Sequence, residues 1–235
     1  MNEFLINRIL DPATNGPNIG HFFNEYLFWA LESYFYDPSI TWVLGTTLYE
    51  WEHKYALLLI KHLNINYRYQ ELGDYRKMPI IFDINKSPIF NKIILFIKDI
   101  IRKEFPETEP PSKVLYFRND APRRKMAGYS GSIDHLFDKV ITDMASLSFE
   151  DQVRLFMNCS HLVTIEGAHL TNINFMNENA KVLDITPFPN SWQVKYEESK
   201  FISYFEEFSM SLADFNSNIE YSTEIEEKIK AFLMI

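Results

Sequence analysis

Between Lys113 and Pro187 four short apolar runs alternate with stretches of helical period, and this alternation limits the chain to few folds. "KVLYFR", the middle of "HLFDKVITDM", "HLVTI" and "AKVLDITP" are at most eight residues long and rich in Val, Ile, Leu and Tyr, as strands are. "SFEDQVRLFMNCS" between two of them has helical spacing, with Ser148 placed as N-cap and Glu150 and Asp151 in the first turn, where the helix dipole favours acids. "AHLTNINFM" reads as a second helix. Strand, helix and strand in succession predict right-handed crossovers and a parallel, Rossmann-like sheet.

The first half is less regular but of the same class. "FFNEYLFWALESYF", "EWEHKYALLLIKHL" and "NKIILFIKDIIRKEF" read as helices, and "TWVLG", "NYRYQEL" and "MPIIFDI" as strands. Pro106 stops the third helix, and "FPETEPPS" carries three prolines that neither a helix nor a strand accommodates. The expected division is an N-terminal lobe at 1–106, a linker at 107–112 and a C-terminal lobe at 113–235. The tail from Trp192 onward reads as mostly helical, and "STEIEEKIKAFLM" opens on a cap followed by acids.

Composition narrows the function. A formal net charge of -9 argues against a general nucleic-acid binder, which needs a basic face to neutralise phosphates. One cysteine, Cys159, excludes an intramolecular disulfide and a cysteine-rich metal cluster, and its apolar surroundings make it a core residue. No apolar run reaches the length of a membrane span, and the first residues lack a secretory pattern, so the expectation is a cytoplasmic protein.

Ligands of doubly wound sheets bind beyond the carboxyl ends of the strands, which directs attention to three stretches. "YFRNDAPRRK" gathers Arg118, Arg123, Arg124 and Lys125 in an otherwise acidic chain; guanidinium forks there fit a diphosphate. Spacing alone fits equally a solvated loop paired with Asp120 and Asp134. "VTIEGAHLTN" places Gly167 between a strand and a helix whose first N–H groups can meet an anion. Around it, Glu166 can accept from ribose hydroxyls, and His169, Thr171 or Asn172 can reach phosphate or cap the helix. An ordinary strand-to-helix turn has the same composition. "NGPNIGHFF" leads into the first helix with His21 near its start and Glu25 four residues on, a spacing that suits a base and its orienting partner or a cap. His53, His62, His135 and His161 lack metal-ligand spacing and read as surface or packing residues. No P-loop, dinucleotide fingerprint, nucleophile elbow, HExxH or Asp-x-Asp pair is present.

Taken together, "VLYFRNDAPRR" and "SLSFEDQVRLFMNCSHLVTIEGAHLTNINFMNENAKVLDITP" resemble glycosyltransferase family 61. Its members read as strand-Arg, a second Arg, a "sf-x-x-Q" helix start, "His-Gly-Ala-x-Leu-Thr-Asn", "x-Phe-Met" and "viEi-x-P". "NIGHFFNEYL" is similar to the family's "Asn-x-x-His-x-x-x-Asp", with His21 on the His and Glu25 on the carboxylate. Glu166 stands where the family has His, His169 where it has a small or polar residue, and the first lobe is short.

The resemblance implies a GT-B arrangement: two Rossmann-like lobes face each other across a cleft, and the C-terminal lobe holds a nucleotide-sugar, expected to be UDP-linked. It implies a hexosyl- or pentosyltransferase of polysaccharide or glycoprotein biosynthesis that inverts the anomeric carbon and uses no metal or cofactor beyond the donor. Its partners would be that donor and a glycan or glycoprotein acceptor. Donor binding then falls to Arg118, Arg123, Arg124, Glu166, Gly167, Ala168, His169, Thr171 and Asn172, and proton removal to His21 or Glu25. Gly167 would let the backbone approach the donor. The alternatives are a catalytically silent GT-B-like module that binds a glycan or protein, and a transferase using a GDP-sugar or another donor.

Overall fold

Two parallel sheets organise the chain, each within its own unit: Met1–Glu104 and Phe105–Ile235. The computed structural model describes residues 3–6, 9–10, 22, 27–71, 75–76, 89–106, 109–119, 121, 123–186, 204–209 and 217–234. His21, Glu25 and the expected strand "MPIIFDI" lie outside the described residues.

In the first unit β1 (Glu3–Ile6) and β2 (Ile9–Leu10) are followed by α1 (Phe28–Tyr36), β3 (Thr41–Gly45), α2 (Glu50–Leu63), β4 (Asn66–Gln70), β5 (Tyr75–Arg76) and α3 (Phe90–Glu104). β3 is central, with β1 and β4 parallel on either side, and β2 pairs with β5. Every residue of β3 is buried, as expected of a central strand in a parallel sheet. α2 begins where the Tyr49 N–H donates to Glu52 Oε2 at 2.7 Å and ends at Asn64, whose φ of 53° is the left-handed stop that asparagine tolerates. Glu104 of α3 receives Lys61 Nζ at 2.7 Å and lies 3.1 Å from His62 Nε2, tying α3 to α2.

The second unit runs β6 (Ser112–Tyr116), β7 (Met126–Ala127), β8 (Lys139–Ile141), α4 (Phe149–Met157), β9 (Cys159–Ile165), a 3-10 helix (Ala168–Phe175), β10 (Lys181–Thr186), β11 (Tyr204–Ser209), β12 (Ile219–Glu220) and α5 (Thr223–Leu233). Its main sheet is parallel throughout, in the order β11-β10-β9-β6-β8. Counted along the unit this is 2-1-3-4-5, a doubly wound order whose switch point falls between the first and third strands, β6 and β9. The expected caps are in place: Ser148 Oγ accepts from Asp151 N at 3.1 Å and Ser222 Oγ from Ile225 N at 3.3 Å.

Two expectations need correction. Residues 204–209, read as part of a helical tail, form β11, which pairs with β10 from Lys181↔Tyr204 to Thr186↔Ser209. The pairing energy comes from a strand some twenty residues away, which local period does not reveal. The expected helix "AHLTNINFM" is wound as a 3-10 helix, with Leu170 N donating to Gly167 O at 3.0 Å.

Alternation along the strands gives the sheet two different faces. Leu115, Val163, Ile165, Leu183 and Ile185 point one way and join Ile225, Ile229 and Phe232 of α5 in a buried core. Tyr116, Thr164, Asp184 and Thr186 point the other way, and all four are buried. Tyr116, Thr164 and Asp184 form one row, since Thr164 pairs in register with both neighbours.

Candidate functional site

The polar face meets the switch point at the carboxyl ends of β6 and β9. Arg118 follows β6 by two residues, and the Glu166–Gly167 pair follows β9 directly, so the topology alone brings them side by side. Arg118 Nη1 donates to the backbone carbonyl of Glu166. A Cβ on Gly167 would stand 2.5 Å from Arg118 Nη1, 2.7 Å from its Cζ and 3.0 Å from His169 Nδ1. Gly167 has φ 177°, extended backbone open to any residue, so what glycine supplies here is room for the Arg118 guanidinium. The group using that space in this structure is the Arg118 guanidinium, whereas the sequence reading reserved it for a ligand.

Arg118 and Arg124 have φ of 56° and 55°, left-handed values that cost a non-glycine residue roughly 1 kcal/mol or more. Both arginines are thus held by backbone turns that they do not favour. Arg124 is 8% exposed, and burial together with the neighbouring Arg118 brings its pKa down to about 10, while Glu166 and Asp184 act to restore its charge. Arg123 and Lys125 are half-buried beside it. Glu166 itself is 1% exposed, and its Oε2 accepts from Thr186 Oγ1 at 2.9 Å. The charge of this enclosed carboxylate acts on Arg124 against the effect of burial.

His169 is buried across the face. Its Nε2 lies 2.8 Å from Thr164 Oγ1, and its ring meets Tyr116 edge-on at 4.7 Å between centroids. Burial first, then Arg118 and Arg124, hold its pKa well below the usual histidine value, so it is neutral. Ala168 is partly exposed at the start of the 3-10 helix. Thr171 and Asn172 are buried, the latter donating to Gln152 Oε1 at 3.3 Å. Gln152 Nε2 donates in turn to the Met144 and Leu147 carbonyls, both at 3.2 Å, so Gln152 braces the 3-10 helix against α4. Thr171 and Asn172 therefore lie inside the second unit.

The family model for glycosyltransferase 61 matches residues 19–183. This chain belongs to glycosyltransferase family 61. No curated protein matches it. The family 61 match spans β6, α4, β9 and the Gly167 turn, the elements that build the switch point.

The structure brings Arg118, Arg124, Glu166, Gly167 and His169 together, with Arg123 beside them. Asp184 and Thr186 were missed. An aspartate inside the apolar run "VLDIT" was the available signal, because aspartate is seldom fully buried without a partner or a task. His53 Nε2 lies 3.3 Å from Gly45 O, His62 pairs with Glu104, His161 rests against Phe232, and His135 is exposed. Among the described residues no three His, Cys, Asp or Glu side chains are grouped to hold a metal ion, and no helix is long and apolar enough to cross a membrane.

Proposed function

We propose that this protein transfers a sugar from a nucleotide-diphosphate sugar, UDP-linked, to a hydroxyl of a glycan or glycoprotein, with inversion and without a metal. The observation that carries this reading is the convergence of Arg118, Arg124 and the Gly167 turn at the switch point of a parallel sheet in a family 61 chain.

The chemistry asks for such a site. The acceptor oxygen forms a bond to the anomeric carbon as the bond from that carbon to the diphosphate oxygen breaks, and the diphosphate leaves with the electron pair. Fixed cations and N–H groups at the leaving oxygen stabilise the transition state more than the ground state. Arg118 is the main candidate. A guanidinium carries five N–H donors, and the one directed at Glu166 O fixes the plane in which the others lie. Arg124 and Arg123 add charge, and the N–H groups of Gly167 to His169 precede the first intrahelical bond of the 3-10 helix. Glu166 and Asp184 favour the charged form of buried Arg124. In the GT-B arrangement this reading adopts, the second unit holds the donor. The first supplies the acceptor side, with His21 or Glu25 removing the acceptor proton, an assignment that rests on the sequence. A cytoplasmic enzyme building a surface glycan fits this reading.

Titration calorimetry of UDP-, GDP- and CMP-sugars in excess EDTA tests it. Saturable binding of one UDP-sugar, lost in Arg118→Ala, is the expected result. Absence of binding both in EDTA and after Mn²⁺ is added would reject it in favour of a catalytically silent glycan- or protein-binding module. The negative charges of buried Glu166 and Asp184 acting on buried Arg124 favour that second reading, since they leave less net charge for a diphosphate.

A further inference from the structure

β4 stands at the margin of the described sheet of the first unit, and each of its residues from Asn66 to Gln70 is exposed. Strands of parallel sheets are ordinarily buried, and edge strands are covered or lined with charge. This one presents aromatic rings instead. Tyr67 and Tyr69 are two residues apart, on the face that continues Trp42 and Leu44 of β3 outward. Trp42 and Leu44 are fully buried, whereas the two tyrosines are 45% and 47% exposed. Their rings meet at 5.8 Å between centroids and 84° between planes, and Tyr69 meets His53 of α2 at 5.6 Å and 63°. His53 is held in turn to the last residue of β3, with Nε2 3.3 Å from Gly45 O. Tyr67, Tyr69 and His53 thus form a ridge that runs toward the carboxyl ends of β3 and β4, the end at which parallel sheets bind ligands.

The charges around this ridge are paired. Arg68 points to the opposite face of the strand, where it donates to Glu3 Oε1 at 3.1 Å and Oε2 at 3.0 Å. Lys54, next to His53, pairs with Glu50 at 3.3 Å. Such a surface suits an uncharged ligand better than a phosphate or a polyanion. Its area argues against a protein partner: the exposed parts of the two tyrosines come to roughly 200 Å², against about 800 Å² contributed by each side of a stable interface. One or two sugar rings would cover it. A pyranose offers a flat face of slightly positive C–H bonds to the negative face of an aromatic ring, and its hydroxyls can exchange hydrogen bonds with the tyrosine O–H groups. We propose that Tyr67 and Tyr69, backed by His53, are a stacking platform for the uncharged glycan that accepts the sugar. The inference deepens the glycan-acceptor reading above and rests on it for the role of that glycan.

Calorimetry on the full chain without nucleotide tests this with cellohexaose, xylohexaose and chitohexaose, and with hexagalacturonate as the anionic control. One neutral hexamer should bind saturably and hexagalacturonate should not. Tyr67→Ala and Tyr69→Ala should each weaken that binding about 10-fold, whereas Tyr69→Phe, which keeps the ring, should retain most of it. Thermal unfolding of the variants should match the wild-type protein, because both side chains are exposed. Binding of no neutral hexamer, or equal binding by wild type and the alanine variants, overturns the inference and leaves the donor site to its own calorimetry. A dimer in sedimentation equilibrium that the double alanine variant abolishes also overturns it, since a second copy would then cover the ridge. If the tyrosines bind a hexamer but no nucleotide-sugar binds anywhere, the transferase reading falls and the platform stands as that of a glycan-binding module.

Discussion

Replacing Gly167 by alanine isolates the close approach on which the site depends. The backbone at φ 177° accepts alanine without strain, so the change acts through the added methyl alone. An ideal Cβ falls 2.5 Å from Arg118 Nη1, whereas ordinary contact begins near 3.4 Å, so the guanidinium must retreat by about 0.9 Å. His169 Nδ1, at 3.0 Å, closes one direction of escape. Arg118 is the flexible partner and should swing outward, giving up its bond to the Glu166 carbonyl. A hydrogen bond from a charged group contributes about 1.5–3 kcal/mol, equivalent to roughly 10- to 100-fold in affinity if the donor relies on that placement. The fold loses less, because the displaced guanidinium regains water and alanine narrows the unfolded ensemble by about 0.4–1 kcal/mol. Calorimetry with the nucleotide-sugar that the wild-type protein binds, paired with thermal unfolding, should show a large affinity loss at nearly unchanged melting temperature. Gly167→Ala combined with Arg118→Ala should bind no worse than Arg118→Ala alone. Full affinity in the single variant would refute the argument, since it would mean that the guanidinium either need not move or is not used.

Other expectations follow from the same structure. The folded-state pKa of His169 lies below its unfolded value, so the unfolded chain takes up the proton first; stability should fall as pH drops below about 6.5, by up to ~1.4 kcal/mol per pH unit from this group. His161 shifts the same way, and denaturant melts of His169→Phe between pH 7 and 5 should show a shallower slope than wild type. Ser148→Ala removes the cap of α4 and should cost about 1 kcal/mol in urea unfolding, with Ser148→Gly costing only a few tenths. The Cys159 thiol is 2% exposed, and burial pushes its pKa up, so a thiol reagent should label it only at the rate of unfolding; rapid labelling of native protein would contradict its place in the core.

The sequence made the second unit legible wherever local pattern and tertiary role agree. "HLVTI" and "AKVLDITP" are central strands whose apolar alternation also makes them the sheet's core, and Ser148 and Ser222 cap the helices that they precede. Legibility failed where distant partners decide. β11, "YFEEFS", has a pair of glutamates and no clean alternation, and becomes a strand because β10 offers it hydrogen bonds. Glu3–Ile6 likewise becomes a strand by pairing with β3. In the site, arginines near a strand end and a glycine at a turn were visible as residue types. That Glu166 faces inward to Thr186, and that the Gly167 gap admits Arg118, depends on the registers of three strands and on side-chain direction.

The placement of β11 and α5 has a consequence for synthesis on the ribosome. The first unit can begin to fold as soon as its residues emerge, because the three strands of its main sheet, β1, β3 and β4, all precede residue 71. In the second, the middle strands of the sheet are made by Thr186, but the helix that contributes Ile225, Ile229 and Phe232 to its apolar face arrives nearly forty residues later. At about 5–20 residues per second the nascent sheet waits roughly 2–7 s before synthesis reaches the helix that covers this face, and roughly 1–5 s before β11 is made to stand beside β10. Such an interval invites chaperone binding. It also makes a ribosome stalled between residues 187 and 222 a source of aggregation-prone chains whose apolar sheet face lacks its helix.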